Sequence, residues 1–199
     1  MLTVYDHPDS GNCYKVRLVL HQLNVPHRLV HIDSVHGETR TPAFLAMNPN
    51  GRVPLLGLPD GSYLPESNAI MHYLARDTPL VPADPLDHAR MLAWLFFEQY
   101  SHEPYVAVAR YIARHLPETD ETRAQIARLL PKAHAALGVM EQHLADAPFF
   151  VGGRYGIADV ALYAYTHRAE EGSVALAAYP SIRAWLARVE AEPGYVPML

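Results

Sequence analysis

The first third of the chain alternates short extended apolar runs with runs of helical spacing. Leu2-Thr3-Val4-Tyr5 predicts a strand. From Gly11 to Leu23 the apolar residues Val16, Val19, Leu20 and Leu23 recur at helical intervals. Leu29 to Ile32 predicts a second strand, so strand, helix and strand imply a parallel pair joined by a right-handed crossover. A weaker helix follows around Pro42 to Met47. Val53 to Leu58 and Ser62 to Leu64 are short apolar runs separated by Pro59-Asp60-Gly61, which is turn chemistry, and they predict an antiparallel hairpin. Ile70, Tyr73 and Leu74 then share one face of a helix. The order is β-α-β-α-β-β-α.

Asp77 to Asp84, DTPLVPAD, is a proline-containing linker without periodicity, and beyond it the strand signals stop. Pro85 to about Arg114 predicts helix, with Pro104 as the position of a kink. Ile126, Leu130, Ala133, Leu137, Met140 and Leu144 step by four and three along a long helix from Glu121 to Ala145, which Pro131 is expected to bend. Ile157 to about Ala169 predicts a mostly apolar, central helix, and Ile182, Trp185, Leu186 and Val189 mark another. The fold class is α/β plus all-α, with domains at 1–76 and 85–199 and a linker at 77–84.

Composition narrows the function classes. In 199 residues, half of them hydrophobic, there is material for a sizeable core. Sixteen basic against 21 acidic side chains, a net charge of -5, and no run of like charge argue against a nucleic-acid partner, which is held by clustered Lys and Arg. One cysteine cannot form an internal disulfide, which fits a reducing compartment. No apolar run reaches the roughly 20 residues of a membrane span, and MLTVYDHPDSG lacks the pattern of a signal peptide. A cytoplasmic protein without membrane partners is expected. Twelve histidines raise the question of a metal. His27 and His31 point to one face of a strand-like run without a third ligand nearby, and HEPYV lacks the second histidine of a zinc-protease helix, so no metal site is expected.

Four segments, in order, carry a family resemblance: SGNCYKV, NPNGRVPLL, ESNAIMHYLA and GIADVALYAY. Together they resemble the cytosolic glutathione S-transferases, of the bacterial serine or asparagine type, over essentially the whole chain. The resemblance implies a thioredoxin-like N-terminal domain that binds glutathione as co-substrate, a helical C-terminal domain that supplies most of the second-substrate pocket, and a homodimer. It also implies a cis bond at Val53-Pro54, with the backbone N–H and C=O of Val53 offered to the cysteinyl part of glutathione like an added strand; a proline that only starts an edge strand is the plain alternative. Glu66 and Ser67 open a helix, whose free N–H groups and partial positive charge suit a carboxylate. Ser67 would donate to the γ-glutamyl carboxylate and Glu66 pair with its ammonium, although the two could simply cap the helix. Arg40 and Arg52 are candidates for the glycyl end.

Glutathione attacks as a thiolate, which a donor aimed at the sulfur stabilises. Ser10 sits where serine-type transferases, including the maleylacetoacetate isomerases, place their hydroxyl. Asn12 sits where a disulfide-reductase-like branch keeps an asparagine, and Cys13 lies near the position of relatives that form a mixed disulfide. Ser10 is ranked first, Asn12 second and Cys13 third. Each has a bland reading: an N-cap, an amide bonded to backbone, a small buried hydrophobe. Tyr5 stands where tyrosine-based classes keep theirs, in different flanking sequence. Tyr100, His102, Tyr105 and Tyr111 are candidates for the second-substrate pocket. One departure from the family is Gly156 where its helix-opening box has Ser or Thr, with Asp159 retained. The expected function is conjugation of glutathione to small apolar electrophiles. Glutathione-dependent disulfide reduction or cis–trans isomerisation is the alternative on the same scaffold, and a non-catalytic interaction module the alternative of another class.

Overall fold

A computed structural model describes residues 1–198. In it the chain forms two units, Met1–Thr78 joined by the segment from Pro193, and Pro79–Glu192. The sequence reading had left that last segment with the helical domain.

The first unit runs β1 (Leu2–Asp6), α1 (Gly11–Gln22), β2 (His27–His31), a 3-10 turn (Glu38–Arg40), α2 (Pro42–Met47), β3 (Leu55–Gly57), β4 (Tyr63–Pro65) and α3 (Ser67–Ala75). The strands form one sheet in the order β2-β1-β3-β4. β1 and β2 are parallel, with Val4 opposite Leu29, and the other pairs are antiparallel, with Tyr5 opposite Leu55 and Leu55 opposite Pro65. The element order is the one the pattern implied, and the sheet is the thioredoxin-like one that the family resemblance implied. β2 begins at His27, two residues before its apolar run, and its Leu29 is half exposed. The core lies on the face where Val4 and Leu56 meet Val16 and Leu20 of α1 and Ile70 of α3, ringed by Leu2, Val25, Leu58, Leu64 and Leu74. Alternation places those strand residues inward, and the helical spacing of the α1 and α3 residues meets them.

The register aligns three chain segments. β1 ends, β3 begins and β4 ends at the same edge of the sheet. The N-terminus of α1, the Val53-Pro54 bond and the N-terminus of α3 therefore lie along one edge.

The second unit holds α4 (Pro85–Phe97), a π turn (Glu98–His102), α5 (Glu103–His115), α6 (Asp120–Asp146), α7 (Ile157–Thr166), a 3-10 turn (Ala169–Gly172) and α8 (Pro180–Glu190). Asp84 caps α4 through the N–H groups of Leu86 and Asp87, with Pro85 in the first turn. The break expected at Pro104 is the π turn just before it, where Glu103 N–H bonds to Glu98 C=O; the wider turn accommodates a residue that has no N–H and whose ring crowds the preceding turn. α6 continues through Pro131. All ten residues of α7 are buried, as its apolar composition implied. Gly156 precedes it for want of space: a Cβ there would lie 2.8 Å from the carbonyl oxygen of Leu80, which accepts the Ile157 N–H at 3.0 Å. Asp159 does the capping, accepting from Gly156 N–H at 3.0 Å, and also holds Phe150 N–H and Trp185 Nε1. Among the described residues no helix is long and apolar enough to cross a membrane.

Candidate functional site

Ser10 is the N-cap of α1, its hydroxyl oxygen accepting the Cys13 N–H at 3.3 Å. That bond occupies one lone pair and leaves the hydroxyl proton to be donated elsewhere. Asn12, in the first turn, is half-buried. Its Oδ1 accepts from Lys15 Nζ at 2.8 Å and from Ser67 Oγ at 3.1 Å, so the first turns of α1 and α3 touch through this amide.

Cys13 is fully buried and its Sγ accepts the His7 N–H at 3.3 Å. Burial, with the nearby Asp6 carboxylate, pushes its thiol up to about 12. It packs as the small buried hydrophobe of the plain reading rather than facing solvent with Ser10 and Asn12, and burial favours its unreactive protonated form.

The Val53-Pro54 bond is cis. Val53 lies outside the strand ladders, and its backbone N–H and C=O make no hydrogen bond among the described residues. Val53 precedes the Leu55–Pro65 pair by two residues and Ser67 follows it by two, so the antiparallel register brings both to one end of the sheet.

Glu66 caps α3 through its backbone, its C=O accepting from Ile70, while its exposed carboxylate makes no bond among the described residues. Its φ of 72° and ψ of 115° lie outside the regions open to L-residues. Such a backbone costs roughly 1–3 kcal/mol and is concentrated at functional sites. Propensity carries no sign of it, so the sequence reading missed it. Ser67 is buried. Of the two arginines, Arg40 donates to the Asn50 carbonyl at 3.2 Å and braces that loop. The Arg52 guanidinium is exposed and makes no bond among the described residues. Tyr5 packs edge-on against Phe44 and beside Tyr63.

Lys15 was also missed. A lysine between Tyr14 and Val16 reads as the polar face of an amphipathic helix, yet it is fully buried. The available signal was its spacing, three residues after Asn12 on the same helix face.

In the helical unit Tyr100 and Tyr105 line an open groove of about 270 Å³ with Phe97, Lys132 and Val139. His102 does not join them. It is fully buried, its Nε2 bonded to Thr166 Oγ1 at 2.9 Å, which makes it a core histidine and corrects its assignment to a pocket wall. Tyr111 lies farther along α5, half exposed beside His115 and outside this groove. Among the described residues no three His, Cys, Asp or Glu side chains cluster as metal ligands.

The family models for the N-terminal and C-terminal domains of glutathione S-transferase match residues 9–77 and 123–188. A glutathione S-transferase from Pseudomonas fluorescens Pf-5 has a TM-score of 0.97 at 48% identity, over 100% of this chain and 98% of the other. A glutathione transferase from Burkholderia graminis, whose structure holds two glutathione molecules per subunit, has a TM-score of 0.84 at 28% identity, over 97% and 85% of the two chains. The maleylacetoacetate isomerase of Rhizobium meliloti is 34% identical over 89% of this chain and 85% of its own. The disulfide-bond oxidoreductase YfcG of Escherichia coli is 28% identical over 97% and 92%. Ure2 of Kluyveromyces marxianus is 33% identical over 72% of this chain, which matches only 37% of that longer protein. In sequence and in fold, the chain belongs to the glutathione S-transferase family.

Proposed function

We propose that this protein is a glutathione transferase: its first unit binds glutathione, favours the thiolate, and presents it to small apolar electrophiles. The observation that carries the reading is the shared sheet edge. There the Val53 backbone and the Glu66 carboxylate have no hydrogen-bond partner among the described residues, and Ser10, Asn12 and Ser67 stand at two helix N-termini. Glutathione has complementary parts for each. Its peptide-like middle matches Val53, its ammonium matches Glu66, and its γ-glutamyl carboxylate matches the first turn of α3 with the Ser67 hydroxyl. Arg52 is the better placed cation for the glycyl carboxylate, because Arg40 already braces the loop. The thiol then lies by the start of α1, where Ser10 donates to the sulfur and the proton leaves to solvent; the thiolate forms a bond to the electrophilic carbon as a leaving group departs with its electron pair, or as a double bond opens and its electron pair takes up a proton.

Isothermal titration with glutathione tests the reading. Glu66→Ala and Ser67→Ala should each weaken binding by about 1.5–3 kcal/mol, the worth of a hydrogen bond to a charged group. An unchanged dissociation constant in both, in folded protein, overturns the γ-glutamyl site. Glutathione-dependent turnover of a chromogenic aryl halide separates the transferase from a non-catalytic module. Disulfide reduction or cis–trans isomerisation is the second reading. It is supported by the place of Asn12 against Ser67 and by the activities named for YfcG and the Rhizobium isomerase. The protein is further proposed to act as a homodimer through α3 and α4, whose Tyr73, Leu86 and Phe96 are exposed. Sedimentation at micromolar concentration should give twice the mass of one chain.

A further inference from the structure

Lysine is among the side chains least often found in a core, and Lys15 is fully buried in the first unit. Removing its amine from water costs free energy unless polar groups replace that water. Its Nζ donates to Asn12 Oδ1 at 2.8 Å and reaches Ser67 Oγ and Asn68 Oδ1 at 3.5 Å each. Ser67 Oγ also donates to Asn12 Oδ1. Lys15 thus stands behind both the first turn of α1 and the first turn of α3. A methionine at this point of α1 would fill similar space without the desolvation cost. What the lysine holds, not how it packs, accounts for its presence.

We propose that Lys15 is a positioning residue that orients the Asn12 amide and the Ser67 hydroxyl and so couples the thiol subsite to the γ-glutamyl subsite. The inference rests on the glutathione reading above. Oδ1 and Nδ2 of an asparagine are nearly equal in shape, and only the hydrogen-bond network decides which way the amide lies. With Lys15 donating to Oδ1, the Nδ2 edge is turned to the opposite side. A ligand carboxylate that takes the Ser67 hydroxyl proton draws that donor away from Asn12 Oδ1, and Lys15 then keeps the amide in place.

The test compares wild type, Lys15→Met, Asn12→Ala and the double variant. It reads the dissociation constant of glutathione by calorimetry and the pKa of the bound thiol from thiolate absorbance against pH. Lys15→Met should weaken glutathione about tenfold and raise the thiol pKa by about half a unit, a threefold change in the thiolate ratio. In the double variant the thiol pKa should rise no further than in Asn12→Ala alone, because the lysine acts through the amide. A merely structural lysine would lower the melting temperature and leave the bound thiol unmoved. Should Lys15→Met fail to fold, Lys15→Gln, which keeps a shorter donor, is read by the same criteria. Additive pKa shifts, or wild-type affinity and thiol pKa in the lysine variant, overturn the inference alone. Absence of glutathione binding by the wild-type protein overturns the functional reading and this inference with it.

Discussion

Because Ser10 Oγ accepts the Cys13 N–H, its proton is directed away from the helix, toward the edge where the thiol is proposed to lie. Ser10→Ala should raise the pKa of bound glutathione by about one to two units, from a charged hydrogen bond worth about 1.5–3 kcal/mol, with little loss of affinity. Asn12→Ala should do less. If the asparagine variant moves the thiol and the serine variant does not, Ser10 is only a cap and disulfide reduction moves ahead of transfer. Cys13 makes the opposite prediction. A chromogenic disulfide at pH 8 should leave it unmodified in the native protein and label it in denaturant, and Cys13→Ala should leave glutathione turnover unchanged. Ser10, Asn12, Val53, Glu66 and Ser67 could be proposed from the sequence because each lies in a short segment that carries the family resemblance. Lys15 and His102 could not be read correctly, since both look like surface residues on their own helices and only the tertiary fold encloses them.

At the scale of elements, α7 was legible as a central helix from its apolar run, but its two ends carry titratable groups whose states depend on what packs around them. Burial pushes the Asp159 carboxyl up to about 7, against the donors that favour its charge, and pulls the His167 imidazole just beyond α7 down to about 4. The unfolded values lie near 3.9 and 6.5. The folded state therefore retains a proton on Asp159 that the unfolded chain releases, and this stabilisation is lost as pH rises from about 4 through 7. For His167 the unfolded chain takes up the proton, and stabilisation is lost as pH falls from about 6.5 through 4. The two dependences oppose each other in one window. Denaturant unfolding across pH 4–7 should show stability falling with rising pH in His167→Gln and climbing with rising pH in Asp159→Asn, each relative to wild type. A slope unchanged from wild type in both variants would count against this account.

For the whole molecule, the change of character at the linker was legible because the period-2 signal ends there. The return of the segment from Pro193 to the first unit was not, because PGYVPM has no period and its partners lie far back in the sequence. That segment is nonetheless well seated. Tyr14 of α1 donates its hydroxyl to the Val196 carbonyl at 2.8 Å, Met198 is buried, and Gly194, at φ 74°, passes so close to Gln22 that a Cβ would come within 3.1 Å of its Cα. A chain ending at Glu192 should lose about 1.5–3 kcal/mol for the methionine alone. Amide exchange should quicken in α1 while α7 keeps its protection. The same seating sets an order on the ribosome. Domains generally fold as they emerge, the first before the second, yet here the first unit receives its closing piece only after the entire helical unit has been translated. A polypeptide interrupted within that segment would carry its defect in the unit translated before the helical one.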